Sequence, residues 1–441
     1  MRITHRALIS SMVAVSLLGT MLLGAGCSKT EDEAETTTSE TTELSGTIRF
    51  ATWGSESEIE TNRDVIAAFE EANPNCTVEL EYIPADYETK IDTLIAGGAA
   101  PDVIYGHPYQ LRKWYALGAL TDLTDLYETK GFNDDSVYNT SFYKNFEYEG
   151  DKVGTINGQD IILLYYNKAL FDAAGVEYPS ETWTWDDFIA AAQKLTITEN
   201  SKTTQYGVSL GANYTVAEVF IWSHGGAIVD DTYANDAEIV VDSPETVTAL
   251  QLMQDIVNEY KISPTPESAG VFGGSFEAGN VAMKFDGAWA PVFLKDVEGL
   301  DWDMIVVPKG PEGRRTAVLY AGYGVYKDSE NPKLAEEFAA FMQSYDGQKI
   351  LAETGLITVI HKDISEAPEV LGAPGMPPGN AYRISGVADA TWRDAAPLWW
   401  HEALDKGFTP ELQALLNGSQ DAQTTAANMQ KLMSGIRDQN Q

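Results

Sequence analysis

The chain has 441 residues, 44% of them hydrophobic, which is enough for two ordinary domains of ~100–200 residues each with terminal segments to spare. Acidic side chains outnumber basic ones 66 to 29, for a formal net charge of -37. That balance excludes nucleic acid and anionic lipid surfaces as partners of the folded body, because both require a basic patch.

The first residues, Met1 to Arg6, are short and basic, and an apolar run follows over 7–23. Gly24, Ala25 and Gly26 then precede Cys27. A positive start, an apolar stretch and small residues at a cut site read as an export signal. A Cys directly after the small residues predicts cleavage at 26/27 and lipid attachment to the Cys27 sulfur. A plain signal peptide with an incidental Cys is the alternative. The apolar run is at the short edge for a membrane span, which needs ~20 residues. Residues 28–45 are rich in Thr, Glu and Ser and predict a disordered tether. With Cys27 lipidated, Cys76 has no partner, so a disulfide framework is excluded.

From there strand and helix patterns alternate. The spacing predicts a strand over 48–52, a helix over 58–72 ended by Asn73-Pro74, and a strand over 78–82. A helix over 87–96 stopped by Gly97-Gly98 and a short buried strand over 101–105 follow. This β-α-β-α-β order predicts a parallel sheet with helices packed on it. The middle of the chain predicts strands over 161–167, 206–210 and 282–285. Helices are predicted over 185–195 (N-cap Thr184), 216–224, 244–260 and 288–296. Strands over 302–307 and 321–326, a helix over 332–343 and helical stretches over 397–404, 410–417 and 421–439 complete the reading. Two α/β sets imply two lobes, and an interlobe cleft is a common place for small-molecule binding.

Catalytic signals are scarce. Gly207-Val208-Ser209-Leu210-Gly211 fits the nucleophile-elbow pattern, with His224, His361 and His401 downstream. A strand end in a Gly-rich chain produces the same five residues by chance. Paired carboxylates facing a cleft would suit glycoside hydrolysis, but with so many acidic residues a pair proves little. The five His are scattered, so no metal is expected. No phosphate-binding loop pattern occurs, and no cofactor is implied. Aromatic residues carry more information. Trp53, Tyr105, Tyr109, Trp289, Tyr323 and Trp392 stand at strand ends or in loops. An aromatic at the C-terminal end of a parallel strand points toward the crevice where ligands bind, and flat rings suit the C–H faces of sugars.

Several stretches together resemble the extracytoplasmic sugar-binding proteins (family 1 solute-binding proteins) of bacterial ABC-type importers. They include Phe69-Glu70-Glu71-Ala72-Asn73-Pro74, Ala100-Pro101-Asp102-Val103-Ile104, Leu164-Tyr165-Tyr166-Asn167-Lys168 and Thr182-Trp183-Thr184-Trp185-Asp186-Asp187-Phe188. Met283-Lys284-Phe285-Asp286-Gly287-Ala288-Trp289 and Leu416-Asn417-Gly418 continue the series. The resemblance spans residues 46 to about 436 and lies in order and spacing rather than in any one motif. It implies a periplasmic-binding-protein-like α/β fold, two lobes joined by hinge strands around a ligand cleft. Lobe 1 would comprise 46–155 with 305–357, and lobe 2 would comprise 156–304 with 358–441. The implied function is reception of a carbohydrate, an oligosaccharide above all, and its delivery to the transmembrane subunits of an ABC permease. The implied protein is a non-enzymatic monomer held to the outer face of the cell membrane by its lipid.

Carried over residue by residue, the implied cleft holds Trp53 and Glu56 after the first strand, and His107 and Tyr109 after the 101–105 strand. Asn157 and Asp160 lie near the first crossover. Trp289 stacks on sugar beside Asp286, Tyr323 sits in a loop between two glycines, and Trp392 with Arg393 comes from the last segment. The resemblance places Trp399-Trp400 mostly in the core. One departure falls at the third crossover, where the family's Gly-x-Ile/Leu-Pro is Gly355-Leu356-Ile357-Thr358. The competing reading is a lipid-anchored hydrolase acting on glycans or esters.

Overall fold

A computed structural model describes residues 44–440 apart from 233, 235 and 393–396. The export signal, Cys27 and nearly all of the tether lie outside the described residues, as does Arg393. No described helix is long and apolar enough to cross a membrane.

The centre of the described chain is one eight-stranded sheet. Its strands are β1 (Gly46–Thr52), β2 (Cys76–Tyr82), β3 (Val103–Gly106), β4 (Thr155–Asn167), β5 (Met283–Gly287), β6 (Trp302–Val306), β7 (Thr316–Val325) and β8 (Ala390–Trp392). β1 pairs in parallel with both β2 and β3, as the alternating β-α-β-α-β pattern predicts. β7 then runs antiparallel to β3 and to β4, so the sheet is mixed beyond its first three strands.

β4 is the longest strand, and all 13 of its residues are buried. At ~3.3 Å per residue it is on the order of 40 Å long. Its first half pairs with β7 and its second half with β5 and β6. A strand of this length couples two regions of the sheet that share few other elements. Thr358 adds a bridge to Gln159, so 156–161, 318–322 and Thr358 run side by side. Gly158 is required here, because a Cβ on it would sit 2.7 Å from the Thr358 carbonyl oxygen. The buried Gln348 clamps the same crossing: its Nε2 donates to the Asn157 carbonyl, and its Oε1 accepts from the Ile360 N–H at 2.9 Å.

Helices cover the sheet where the sequence pattern puts them. α1 (Glu56–Ala72) opens on a capping box between Ser55 and Glu58, and buries Ile59, Val65, Ile66 and Phe69, the last three in the common core that also holds Ile48 and Phe50 of β1. α2 (Tyr87–Ala96) matches its predicted bounds. α3 (Pro108–Ala116) is a helix that the spacing did not predict. Pro108 occupies its first turn, where the missing N–H costs nothing, and Gln110 reaches back to the His107 N–H at 2.8 Å. α4 (Trp185–Leu195) starts at the expected Thr184 cap, and α5 (Tyr214–Ser223) starts at Asn213.

Three expectations change. Residues 206–210 make isolated bridges from Tyr206 to Val281 and from Ser209 to Lys284, not a strand. The helix expected over 288–296 shrinks to Pro291–Leu294, because Pro291 sets its start and Gly287 to Ala290 form a turn. The helix expected over 244–260 is Pro244–Gln254 followed by a π turn over Asp255–Glu259.

Candidate functional site

The C-terminal ends of β1 and β3 converge on one cavity. It has a volume of about 660 Å³. From β1 comes Trp53, the residue after the strand, and from β3 comes Tyr105, with His107 and Tyr109 at the start of α3. Ligand crevices in open α/β sheets form at such strand ends because the loops there diverge.

This wall is a continuous array of rings. The Trp53 centroid lies 4.4 Å from Tyr105, 4.7 Å from Tyr87 and 5.1 Å from His107. His107 stacks on Tyr109 at 5.8 Å. Hydrogen bonds hold the array from behind. The Tyr87 hydroxyl donates to the Tyr105 carbonyl at 2.7 Å, and the Asn157 Nδ2 donates to the Tyr105 hydroxyl oxygen at 3.1 Å. The His107 Nδ1 lies 2.9 Å from the Tyr320 carbonyl oxygen, which requires the proton on that nitrogen. Burial pushes the Tyr105 phenol above its ordinary range, so it serves as a neutral hydrogen-bonding group.

The floor comes from the crossing segments: Asn157 and Asp160 of β4, Leu319 to Ala321 of β7, and Leu356 with Ile357. The Asp160 Oδ1 accepts from both the N–H and the hydroxyl of Thr358 at 3.2 Å, and Arg383 stands 3.8 Å away. Burial raises its carboxyl to about 7, against the lowering pull of Arg383 and of the Thr358 hydrogen bonds. The Asn157 Oδ1 is buried without a hydrogen-bond partner among the described residues, and so is the Thr409 Oγ1 on the far side of the same cavity. Buried polar atoms are normally paired, so both residues bring to the cavity lining a side chain with one unsatisfied polar atom.

The opposite wall is assembled from distant segments. The loop Ala212–Thr215 at the start of α5, the indole of Trp289, and His401, Asp405 and Thr409 from the helical tail complete the lining. The Trp289 ring folds back over Gly287, where a Cβ would meet it at 2.1 Å. Only glycine lets the indole lie there. Asn213 caps α5, its Oδ1 accepting from the Thr215 N–H at 2.8 Å.

Six of the expected cleft residues, Trp53, His107, Tyr109, Asn157, Asp160 and Trp289, line this one cavity. Others fall elsewhere. Glu56 is on the exposed first turn of α1, and the carboxylate that lines the cavity is Glu58, two residues on. The capping box explains the swap: the third helical residue folds back toward the strand end, and the first faces solvent. Tyr323 lies within β7 rather than in a loop. It is 1% exposed, and its ring packs between Phe50 at 5.7 Å and Tyr105 at 5.4 Å, supporting the wall from behind. Asp286 accepts from the Gly287 N–H and pairs with Lys284 at 2.9 Å, outside the cavity lining. Trp392 ends β8, and Arg393 lies outside the described residues. Trp399 and Trp400 are buried.

Sequence reasoning did not single out Glu58, Tyr214, Asp405, Thr409 or a binding role for His401. Only the helix-start pattern at Ser55 and Asn213 carried a local signal for this lining.

No histidine is placed beside Ser209 among the described residues. The Ser209 N–H pairs with the Met283 carbonyl at 3.1 Å, and the residue lines a separate 260 Å³ pocket with Lys284 and Glu277. The His224 Nδ1 is engaged by the Phe220 carbonyl at 2.7 Å. No group of three or more His, Cys, Asp or Glu among the described residues is placed to hold a metal ion.

Residues 54–349 match the model of a family described as bacterial extracellular solute-binding protein. An ABC substrate-binding protein of Listeria monocytogenes, solved in complex with cycloalternan, is 28% identical with a TM-score of 0.79; the match covers 88% of this chain and 98% of that one. The GacH receptor of Streptomyces glaucescens, solved unliganded and with acarbose, is 23% identical with a TM-score of 0.78, over 90% of this chain and 100% of the other. An arabinooligosaccharide-binding protein of Halalkalibacterium halodurans is 25% identical over 209 residues, 45% of this chain and 44% of that protein. The fold is the two-lobed α/β architecture of periplasmic binding proteins.

Proposed function

Because the chain belongs to the bacterial extracellular solute-binding proteins, we propose that it captures an oligosaccharide in the 660 Å³ cleft and hands it to a membrane-embedded ABC permease. The observation that carries the reading is the ring wall of Trp53, Tyr105, His107 and Tyr109 lining one cavity with the polar side chains of Asn157, Asp160 and Thr409. Rings take the apolar C–H face of a pyranose, and polar side chains take its rim of OH groups. The Listeria neighbour was solved in complex with cycloalternan and the Halalkalibacterium relative is described as arabinooligosaccharide-binding, which supports a carbohydrate ligand here.

Binding is an equilibrium in which the ligand favours the state that contacts it from both walls. The lobe division at 155/156, 304/305 and 357/358 belongs to this reading. The side-by-side course of 156–161, 318–322 and Thr358 supports the first and third of those boundaries. In the same reading the mature protein is a monomer, tethered through lipidated Cys27 so that it stays at high effective concentration over its permease. It performs no chemistry on its ligand.

A thermal-shift screen against neutral oligosaccharides is the direct test, since a ligand that binds only the folded state raises its stability. A rise with at least one oligosaccharide is expected. A flat response to all sugars, with a rise on a polyol or a glycerophosphodiester, would replace the ligand class. Retention of acyl label by the Cys27→Ser variant would overturn the anchor alone.

A further inference from the structure

The cleft does not end at the tail helices. Tyr109 and His401 stack face to face, with centroids 4.2 Å apart and planes 13° from parallel. They join the start of α3 to the helix Trp400–Ala403 near the other end of the chain. Each ring is held on its own side. The Tyr109 hydroxyl donates to Glu88 at 3.3 Å, and the His401 Nε2 lies 3.2 Å from Asp405.

Tyr109, His401 and Asp405 line the 660 Å³ cavity and also a second cavity of about 1210 Å³. The first volume is ordinary for a small-molecule site, which spans ~300–1,000 Å³, and the second exceeds that range. The stack is therefore the partition between two consecutive chambers. The second chamber continues the chemistry of the first, with Tyr148 and Trp399 in its lining. It differs in charge. Its two lysines are already engaged, Lys113 by Glu88 at 2.9 Å and Asp92 at 2.8 Å, and Lys406 by Glu402 at 2.7 Å. Asp86 and Asp236 add negative charge, with no further lysine in the lining among the described residues.

We propose that the Tyr109–His401 stack is a gate between two saccharide-binding chambers. A chain long enough to reach it inserts between the rings, exchanges ring–ring contact for ring–sugar contact on both faces, and continues into the second chamber. The carboxylate lining there admits neutral and amino sugars and rejects uronates and sugar phosphates. This proposal rests on the carbohydrate-receptor reading and adds to it a length preference and a charge rule.

The test uses the full mature chain and calorimetry with two neutral series, maltose to maltoheptaose and arabinobiose to arabinoheptaose, together with an oligogalacturonide. In whichever series binds, the seven-unit member is expected to bind at least tenfold tighter than the two-unit member. Thr89→Trp, which fills the second chamber from its exposed rim, is expected to erase that advantage and leave two-unit affinity unchanged; Leu398→Trp serves if the first variant does not fold. Asp86→Lys with Asp236→Lys is expected to narrow the preference for the neutral heptamer over the oligogalacturonide at least tenfold. Equal affinity for two and seven units, unmoved by either filling variant, would overturn the gate and leave the receptor reading standing. Binding by no member of either series, together with a flat thermal-shift response to all sugars, would overturn both.

Discussion

The two walls of the cleft are built in opposite ways. The wall at the ends of β1 and β3 is an interlocked set of rings, each touching the next and several tied by hydrogen bonds to the sheet behind. The facing wall takes single side chains from separate places: Trp289 after β5, the cap of α5, and the tail residues His401, Asp405 and Thr409. A preorganised ring platform loses little freedom when a ligand arrives, so more of its contact energy appears as affinity. The second group has one ring already in contact with the first, His401 stacked on Tyr109, while its other members reach the cavity singly.

The largest expected effect concerns Asp160, on the floor between the walls. Its carboxyl titrates at about 7 in the folded protein, above the ~3.9 of an unfolded aspartate. Between those values the folded state binds more protons than the unfolded one, so this group makes stability fall as pH rises from about 4 to about 7, by at most ~1.4 kcal/mol per pH unit. Asp160→Asn keeps an acceptor for Thr358 and removes the charge. Its unfolding free energy, followed by urea titration across that window, is expected to vary less with pH than that of the parent. An equal slope in both proteins would show that the floor is hydrated and not part of a dry cleft.

Next is Trp53→Ala. Removing the hub of the ring array is expected to cost about 2 kcal/mol or more in affinity for the oligosaccharide identified by screening, and to lower the melting temperature as well, because Tyr87, Tyr105 and His107 lose a neighbour. A loss of affinity with unchanged stability would mean the rings are independent, and the contrast between the walls would dissolve.

Trp289→Ala sharpens the comparison from the other side. About 1 kcal/mol of affinity should be lost through the missing aromatic contact, with little change in melting temperature, since the indole lies over Gly287 at the cavity surface. Unchanged calorimetric affinity would remove Trp289 from the ligand's path.

Much of the first wall follows from local pattern. Trp53 and Tyr105 stand at the ends of short apolar strands legible in the sequence, and a residue at a parallel strand's C-terminal end has one crevice to point into. Where local reasoning slipped, the cause was also local. Glu56 and Glu58 are both acidic residues of one helix turn, and only the capping geometry decides which turns inward. Tyr323, flanked by glycines, suggests a loop, yet the residues around it complete a central strand because β3 and β4 need a partner between them.

The amino-acid sequence by itself determined the family, the alternation of strands and helices, and the aromatic character of the cleft, because periodicity, capping residues and strand-end aromatics are properties of neighbouring residues. Tertiary structure alone decided that Asp160 is buried beside Thr358, that Asn157 and Thr409 line one cavity, and that Tyr109 lies on His401. Those facts depend on how far-separated segments pack, and no local pattern encodes a distance between the two ends of a chain.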